Sequence, residues 1–192
     1  MTAALELLGR SSEPGQIAAL GLLGRALDGR AAWIAESVPV LATLADDPDP
    51  EKVLAVSDLV AGLPAELVPR KIFADRLRKI VRDGASYQLR NHAMESLVNL
   101  TGGDETTVRL LLAATADPDT DVRAQAIGHV VELALDRRAD PAVVEPVLGN
   151  ALRDQSPWIR QEAAQGILLL ADRGSASFEK AFSEVVFGDR FR

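Results

Sequence analysis

Five cations, Lys71, Arg78, Arg82, Arg109 and Arg153, are the residues of this 192-residue chain whose types and spacing could do chemistry. On a helix, Lys71, Arg78 and Arg82 share one side with Asp75 and Lys79, while Val68, Ile72, Phe73, Leu77 and Ile80 gather on the other. Arg70 and Arg76 fall nearer the boundary. Arg109 and Arg153 each stand opposite the apolar residues of their own segments. Aligned ammonium and guanidinium groups make and break no covalent bonds. They attract anions through a summed field and hold them through charge-assisted hydrogen bonds. The set is therefore expected to be partner-binding, with an acidic protein surface as the partner and nucleic acid as the alternative.

Covalent chemistry has little support. No glycine-rich phosphate loop, GxSxG or HExxH is present. There is no cysteine, which excludes disulfides and thiolate metal sites. His92 and His129 are the two imidazoles, and neither stands in an arrangement that predicts a metal site, so both are expected to be ordinary helix residues. No catalytic residue, metal or cofactor is expected. The net charge of -7 disfavours nonspecific duplex binding, although a local basic stripe is compatible with an acidic whole. The opening MTAALELLGR lacks a basic stretch followed by an apolar run, and no segment approaches the roughly 18 uninterrupted apolar residues of a membrane helix. A cytoplasmic monomer away from membranes is the expectation.

The elements that must carry these cations repeat. DPDTDVRAQAIGHVVEL at 117–133 and DQSPWIRQEAAQGILLL at 154–170 share an aspartate, an aliphatic residue five on, an arginine next, and small or apolar residues beyond. In the first the positions are Asp117, Val122, Arg123, Ala126, Ile127, Val130 and Leu133; in the second they are Asp154, Ile159, Arg160, Ala163, Ala164, Ile167 and Leu170. A third copy holds Asp83, Leu89, Arg90, Ala93, Met94, Leu97 and Leu100, with one extra residue in its turn. Two weaker copies without the arginine are anchored at Lys52, with Asp47 before it, and at Gly15. Anchors at 15, 52, 89, 122 and 159 are spaced by 37, 37, 33 and 37, the signature of a solenoid whose repeats bury one another's apolar faces. Between them the spacing predicts second helices at 31–45, 65–82, 104–115 and 140–153, with Asp104 and Asp140 as N-caps.

The pattern D-x-x-x-x-V/I-R-x-x-A-x-x-x-V/I-x-x-L resembles the short bacterial HEAT-like repeat, related to armadillo and to the repeats of phycobiliprotein lyases. The resemblance covers 47–172 well and 12–46 poorly. It implies an all-α, right-handed α-α superhelix of about five helical pairs. It also implies a ladder of Asp83, Asp117 and Asp154 with Arg90, Arg123 and Arg160 between neighbouring repeats, and second helices lining a concave face, which would turn the five cations into one groove. The whole chain, 1–192, is expected to be one repeat domain. Residues 176–192 would be its capping helix and tail, on Phe178, Phe182, Val185 and Val186. The function implied is non-catalytic protein binding as an adaptor, scaffold or immunity-type inhibitor. The alternative is nucleic-acid binding or repair of the HEAT-like DNA glycosylase type, and a lyase role is a further one. Trp33 and Trp158 are the only tryptophans; Trp158, in a repeat turn, is expected to wedge between repeats.

Overall fold

Aspartate or serine starts five of the described helices. The carboxylates of Asp49, Asp104, Asp119 and Asp140 and the hydroxyl of Ser86 each accept a backbone N–H from the first turn of the helix that follows. They satisfy donors that no helical carbonyl can reach. Proline at the first helical position then presets the backbone at Pro50, Pro141 and Pro157. In the computed structural model of the protein, residues 31–172 are described, and these helices form two compact units divided between Gly102 and Gly103.

The first unit contains α1 (Ala31–Ala45), α2 (Pro50–Ala61), a 3-10 turn (Ala65–Leu67), α3 (Arg70–Asp83) and α4 (Tyr87–Thr101). The second contains α5 (Glu105–Ala114), α6 (Thr120–Leu135), α7 (Pro141–Ala151) and α8 (Pro157–Asp172). Within a unit, sequence neighbours pack together, and the repeat-bearing helices also pack on each other, α2 on α4 and α6 on α8. The copy anchored at Gly15 and the capping segment 176–192 lie outside the described residues. The second helices fall where the spacing predicts, with one difference. The stretch 65–82 is not one helix, because Pro69 disfavours helical backbone at Val68, which is extended at φ -130 and ψ 140. The helix therefore begins at Arg70.

The repeat positions form the core. Val122, Ala126, Ile127, Val130 and Leu133 are buried, as are Ile159, Ala163, Ile167 and Leu170, and Ala93, Met94, Leu97 and Leu100. Each large apolar side chain removed from water in this way stabilises the array by about 1.5–3 kcal/mol. In α2 the corresponding Val56, Ser57 and Val60 are buried too, as is Leu63 just beyond its end, and Ser57 donates to the Val53 carbonyl at 2.7 Å.

The repeated aspartate builds the turn before α2, α6 and α8, and the repeated arginine the turn before α4, α6 and α8, while Asp83 instead ends α3. Asp47, Asp117 and Asp154 accept the backbone N–H two residues on, at 2.8–2.9 Å, closing an Asx turn. Arg90, Arg123 and Arg160 each reach back six residues, donating Nη1 to the carbonyls of Gly84, Asp117 and Asp154 at 2.8–2.9 Å. The copy at Asp47 has no such arginine, and there Arg76 of α3 donates to the Asp47 carbonyl at 3.1 Å instead. One rung of the expected ladder joins Arg123 to the Asp154 carboxylate, which it binds through two nitrogens, at 3.0 and 3.1 Å.

Candidate partner-binding surface

The positions of the sequence-predicted cations follow from helix phase. On α3, Phe73, Ala74, Leu77, Ile80 and Val81 face inward, which turns Lys71, Asp75, Lys79 and Arg82 outward, all exposed. Arg78 lies at the edge, its side chain only 13% exposed, bonded to Asp75 at 2.9 Å. That pair removes one positive charge from the face, so Lys71, Lys79 and Arg82 dominate it. Arg109, exposed on α5, pairs with Glu105 one turn earlier at 3.2 Å. Arg153, exposed just beyond α7, donates Nη1 to the Gly149 carbonyl at 2.9 Å, a favourable place for a cation at a helix C-terminus. Lys71, Arg78 and Arg82 share one helix of the first unit, and Arg109 and Arg153 belong to different elements of the second.

Two neighbouring arginines are structural. Arg70 donates to the carbonyls of Ala61, Leu63 and Leu100, at 3.0, 2.6 and 3.1 Å, and so ties the C-terminal ends of α2 and α4 together. Arg76 holds the Asp47 turn. Neither role follows the helical spacing: Arg70 reaches carbonyls 7, 9 and 30 residues away, and Arg76 one 29 residues away. Ile72 departs from the periodicity, which assigns it to the apolar side: it is 42% exposed, beside Lys71 on the outward face.

His92 is not an ordinary helix residue. Its Nε2 lies 2.9 Å from Oδ2 of Asp58 on α2, and the buried Ser96 hydroxyl donates to Oδ1 of the same carboxylate at 2.5 Å. The Asp58 bond holds the imidazole above its usual range, against the partial burial that opposes it. For Asp58, desolvation pushes the carboxyl up, but the bonds from His92 and Ser96 outweigh it and leave it below the usual range. One carboxylate thus spans two side chains of α4 and pins α2 to α4. This arrangement differs from a nucleophile triad because the carboxylate, rather than the imidazole, is the central group. His129 is mostly buried in α6, with Gln125 at 3.2 Å and Glu132 at 3.5 Å. Among the described residues, no group of three potential ligands could hold a metal ion. Trp158 does not wedge between repeats. It is 45% exposed, and its indole donates to Glu162 at 3.0 Å within α8.

The second unit also carries a cleft of about 610 Å³ between the α5–α6 turn and the α7–α8 turn. Leu112 and Val147 supply its apolar wall, Asn150, Arg153 and Gln155 its polar rim, and the Arg123–Asp154 pair one edge.

The HEAT-repeat family profile matches residues 74–168, close to half of the chain, across the helices whose turns carry the aspartate and arginine. The chain is a HEAT-like repeat protein. The all-α repeat fold expected from the sequence is the one observed. No curated protein matches the sequence. Among solved structures, the HEAT-like chain is similar to crescerin, described as using a TOG domain array to regulate microtubules in the primary cilium. The identity is 17% and the TM-score 0.52, covering 98% of this chain and 85% of that one. It is also similar to a TOG structure described in terms of TOG–tubulin binding specificity, at 9% identity and a TM-score of 0.56, covering 94% and 80%. Identities this low establish a shared fold. Among the described residues, no helix is long and apolar enough to cross a membrane.

Proposed function

We propose that this HEAT-like protein is a non-catalytic protein-interaction module, an adaptor, scaffold or inhibitor, that takes an acidic surface of its partner. Lys71, Arg78, Arg82, Arg109 and Arg153 supply the positive charge. The observation that carries this reading is the outward face of α3, where Lys71, Lys79 and Arg82 stand exposed on a protein of net charge -7. The two similar solved structures are both described through protein targets, microtubules and tubulin, which supports protein binding as the use of such an array. The module works as a monomer in the cytoplasm. Exposed Ile72 beside Lys71 favours a protein over a nucleic-acid backbone, because an apolar side chain gains nothing against phosphates.

Purified protein titrated with poly-L-glutamate at physiological salt should form a complex that the Lys71→Glu/Arg82→Glu double variant weakens about tenfold or more, as loss of complementary charge requires. Folding should be unchanged, since both side chains are exposed. An unchanged affinity in the double variant, or tighter and steeply salt-dependent binding of a duplex DNA of the same charge, would overturn the proposal.

A further inference from the structure

The cleft between the α5–α6 and α7–α8 turns is a place where one cation retains unused donors. Four charged side chains line it: Arg123, Asp154, Asp117 and Arg153. Arg123 and Asp154 are engaged with each other, and Asp154 also accepts the Ser156 N–H. Asp117 accepts the Asp119 N–H at 2.8 Å. Arg153 spends only Nη1, on the Gly149 carbonyl, and this bond fixes the guanidinium at the rim while leaving Nε and Nη2 to act as a fork. The exposed amides of Asn150 and Gln155 flank it as further donors, and half-buried Leu112 and Val147 offer an aliphatic wall. A volume of about 610 Å³ lies within the usual range of ligand clefts.

We infer that this cleft is a binding site for the side-chain carboxylate of an acidic peptide segment, with Arg153 as the carboxylate fork and Leu112 and Val147 against the methylenes that carry it. The bridge between Arg123 and Asp154 has a supporting part: it joins the two turns, so the rim keeps its shape before a ligand arrives. This inference rests on the protein-interaction reading and assigns it a specific pocket. A glutamate, whose methylenes reach the apolar wall, suits the site better than a bare anion.

The test is an NMR titration of the full chain with acetyl-Glu-Glu-Glu-amide, with acetyl-Gln-Gln-Gln-amide and inorganic phosphate as comparison probes. Saturable shifts should concentrate on the Arg153 Nε–H and the side-chain amides of Asn150 and Gln155. Arg153→Gln should weaken the glutamate peptide about fivefold or more, and Arg153→Lys should recover only part of this because an ammonium lacks the fork. Shifts equal with the glutamine peptide, phosphate binding as tight as the peptide, or an unchanged Arg153→Gln affinity would overturn the site. Poly-L-glutamate binding that depends on Lys71 and Arg82 while the cleft stays silent would sink this inference alone. Loss of both signals would sink the general reading with it.

Discussion

The two units solve the same packing problem, the joining of one repeat helix to the next, with different chemistry. In the first unit α2 and α4 are tied by polar groups: Asp58 spans His92 and Ser96 midway along the helices, and Arg70 gathers the carbonyls of Ala61, Leu63 and Leu100 at their ends. In the second unit the equivalent pair, α6 and α8, comes together through close contact, because a Cβ on Gly166 would lie 2.6 Å from a Val131 methyl. A charged rung, Arg123 to Asp154, sits at the turns. The difference shows that a repeat fixes which helices meet, through the buried aliphatic positions, and leaves the means of clamping them to residues between those positions.

Substitutions at the shared core should break both units alike and set the scale for everything else. Ile127→Asp places a carboxylate where the side chain is 1% exposed, and should destabilise the second unit by about 3 kcal/mol or more, while Gln125→Asp, an outward position, should do little. Phe73→Ala in the first unit should lose about 3–5 kcal/mol by leaving a cavity. Chemical denaturation with residue-level hydrogen exchange checks both. Equal stability of the Ile127 and Gln125 variants would refute the repeat register.

The arginine clamps come next. Arg70→Met should cost about 2–3 kcal/mol, because three carbonyls lose a charged donor, and exchange protection should fall first at the C-terminal turns of α2 and α4. Arg123→Met should cost a similar amount and loosen the α7–α8 turn, where Asp154 would lose its cation. If the Arg70 variant instead frayed the N-terminal ends of those helices, the assignment of its bonds would be wrong.

Gly166→Val addresses the close contact directly. The added Cβ alone would lie 2.6 Å from a Val131 methyl, so α8 or Val131 must shift, at a cost of about 1–3 kcal/mol seen as a lower denaturation midpoint. Ser96→Gly, the matching change in the first unit, removes one polar bond and adds helix-interior glycine, at about 1–2 kcal/mol. A neutral Gly166→Val would show that α6 and α8 are held by something other than close packing.

How much of this was legible in the sequence depends on the range of each interaction. Val122, Ile127, Val130 and their repeats announce a buried face because their partners recur at helical spacing, and Asp104 and Asp140 announce caps because the bond is to an amide two or three residues on. Arg76 gives no such signal: it replaces a missing repeat arginine by reaching a turn 29 residues away. His92 pairs with Asp58 across 34 residues, and no local pattern marks that meeting. The basic side of α3 is recognisable as a set, but its pairing is a matter of phase, and the local contact of Arg78 with Asp75 spends charge that the pattern counts as available. Ile72 misleads for the same reason, since it lies at the boundary of the apolar arc and the helix turns it outward.

The smallest expected effect separates the units by pH. His92 has its pKa raised in the folded protein, so its contribution is fully present below its ordinary value of 6.5 and is lost as pH rises through the raised value. Asp58 has its pKa lowered, so its contribution is present above its ordinary value of 3.8 and is lost as pH falls through the depressed one. The pin between α2 and α4 is therefore strongest from about pH 4 to 6.5 and weakens towards alkaline pH. Both side chains are nearly half exposed, so solvent screening limits the effect to below about 1 kcal/mol. In the second unit the Ser156 amide, and then Arg123, hold Asp154 below its usual range, and that rung keeps its charge from neutral to alkaline pH. Moving from pH 5.5 to 8.5 should therefore reduce hydrogen-exchange protection along α2 and α4, after correction for intrinsic exchange rates, while the Arg123–Asp154 turn keeps its own. His92→Gln should remove that change in α2 and α4. A pH response of α2 and α4 that persists in His92→Gln would show that the polar clamp of the first unit does not titrate through this histidine.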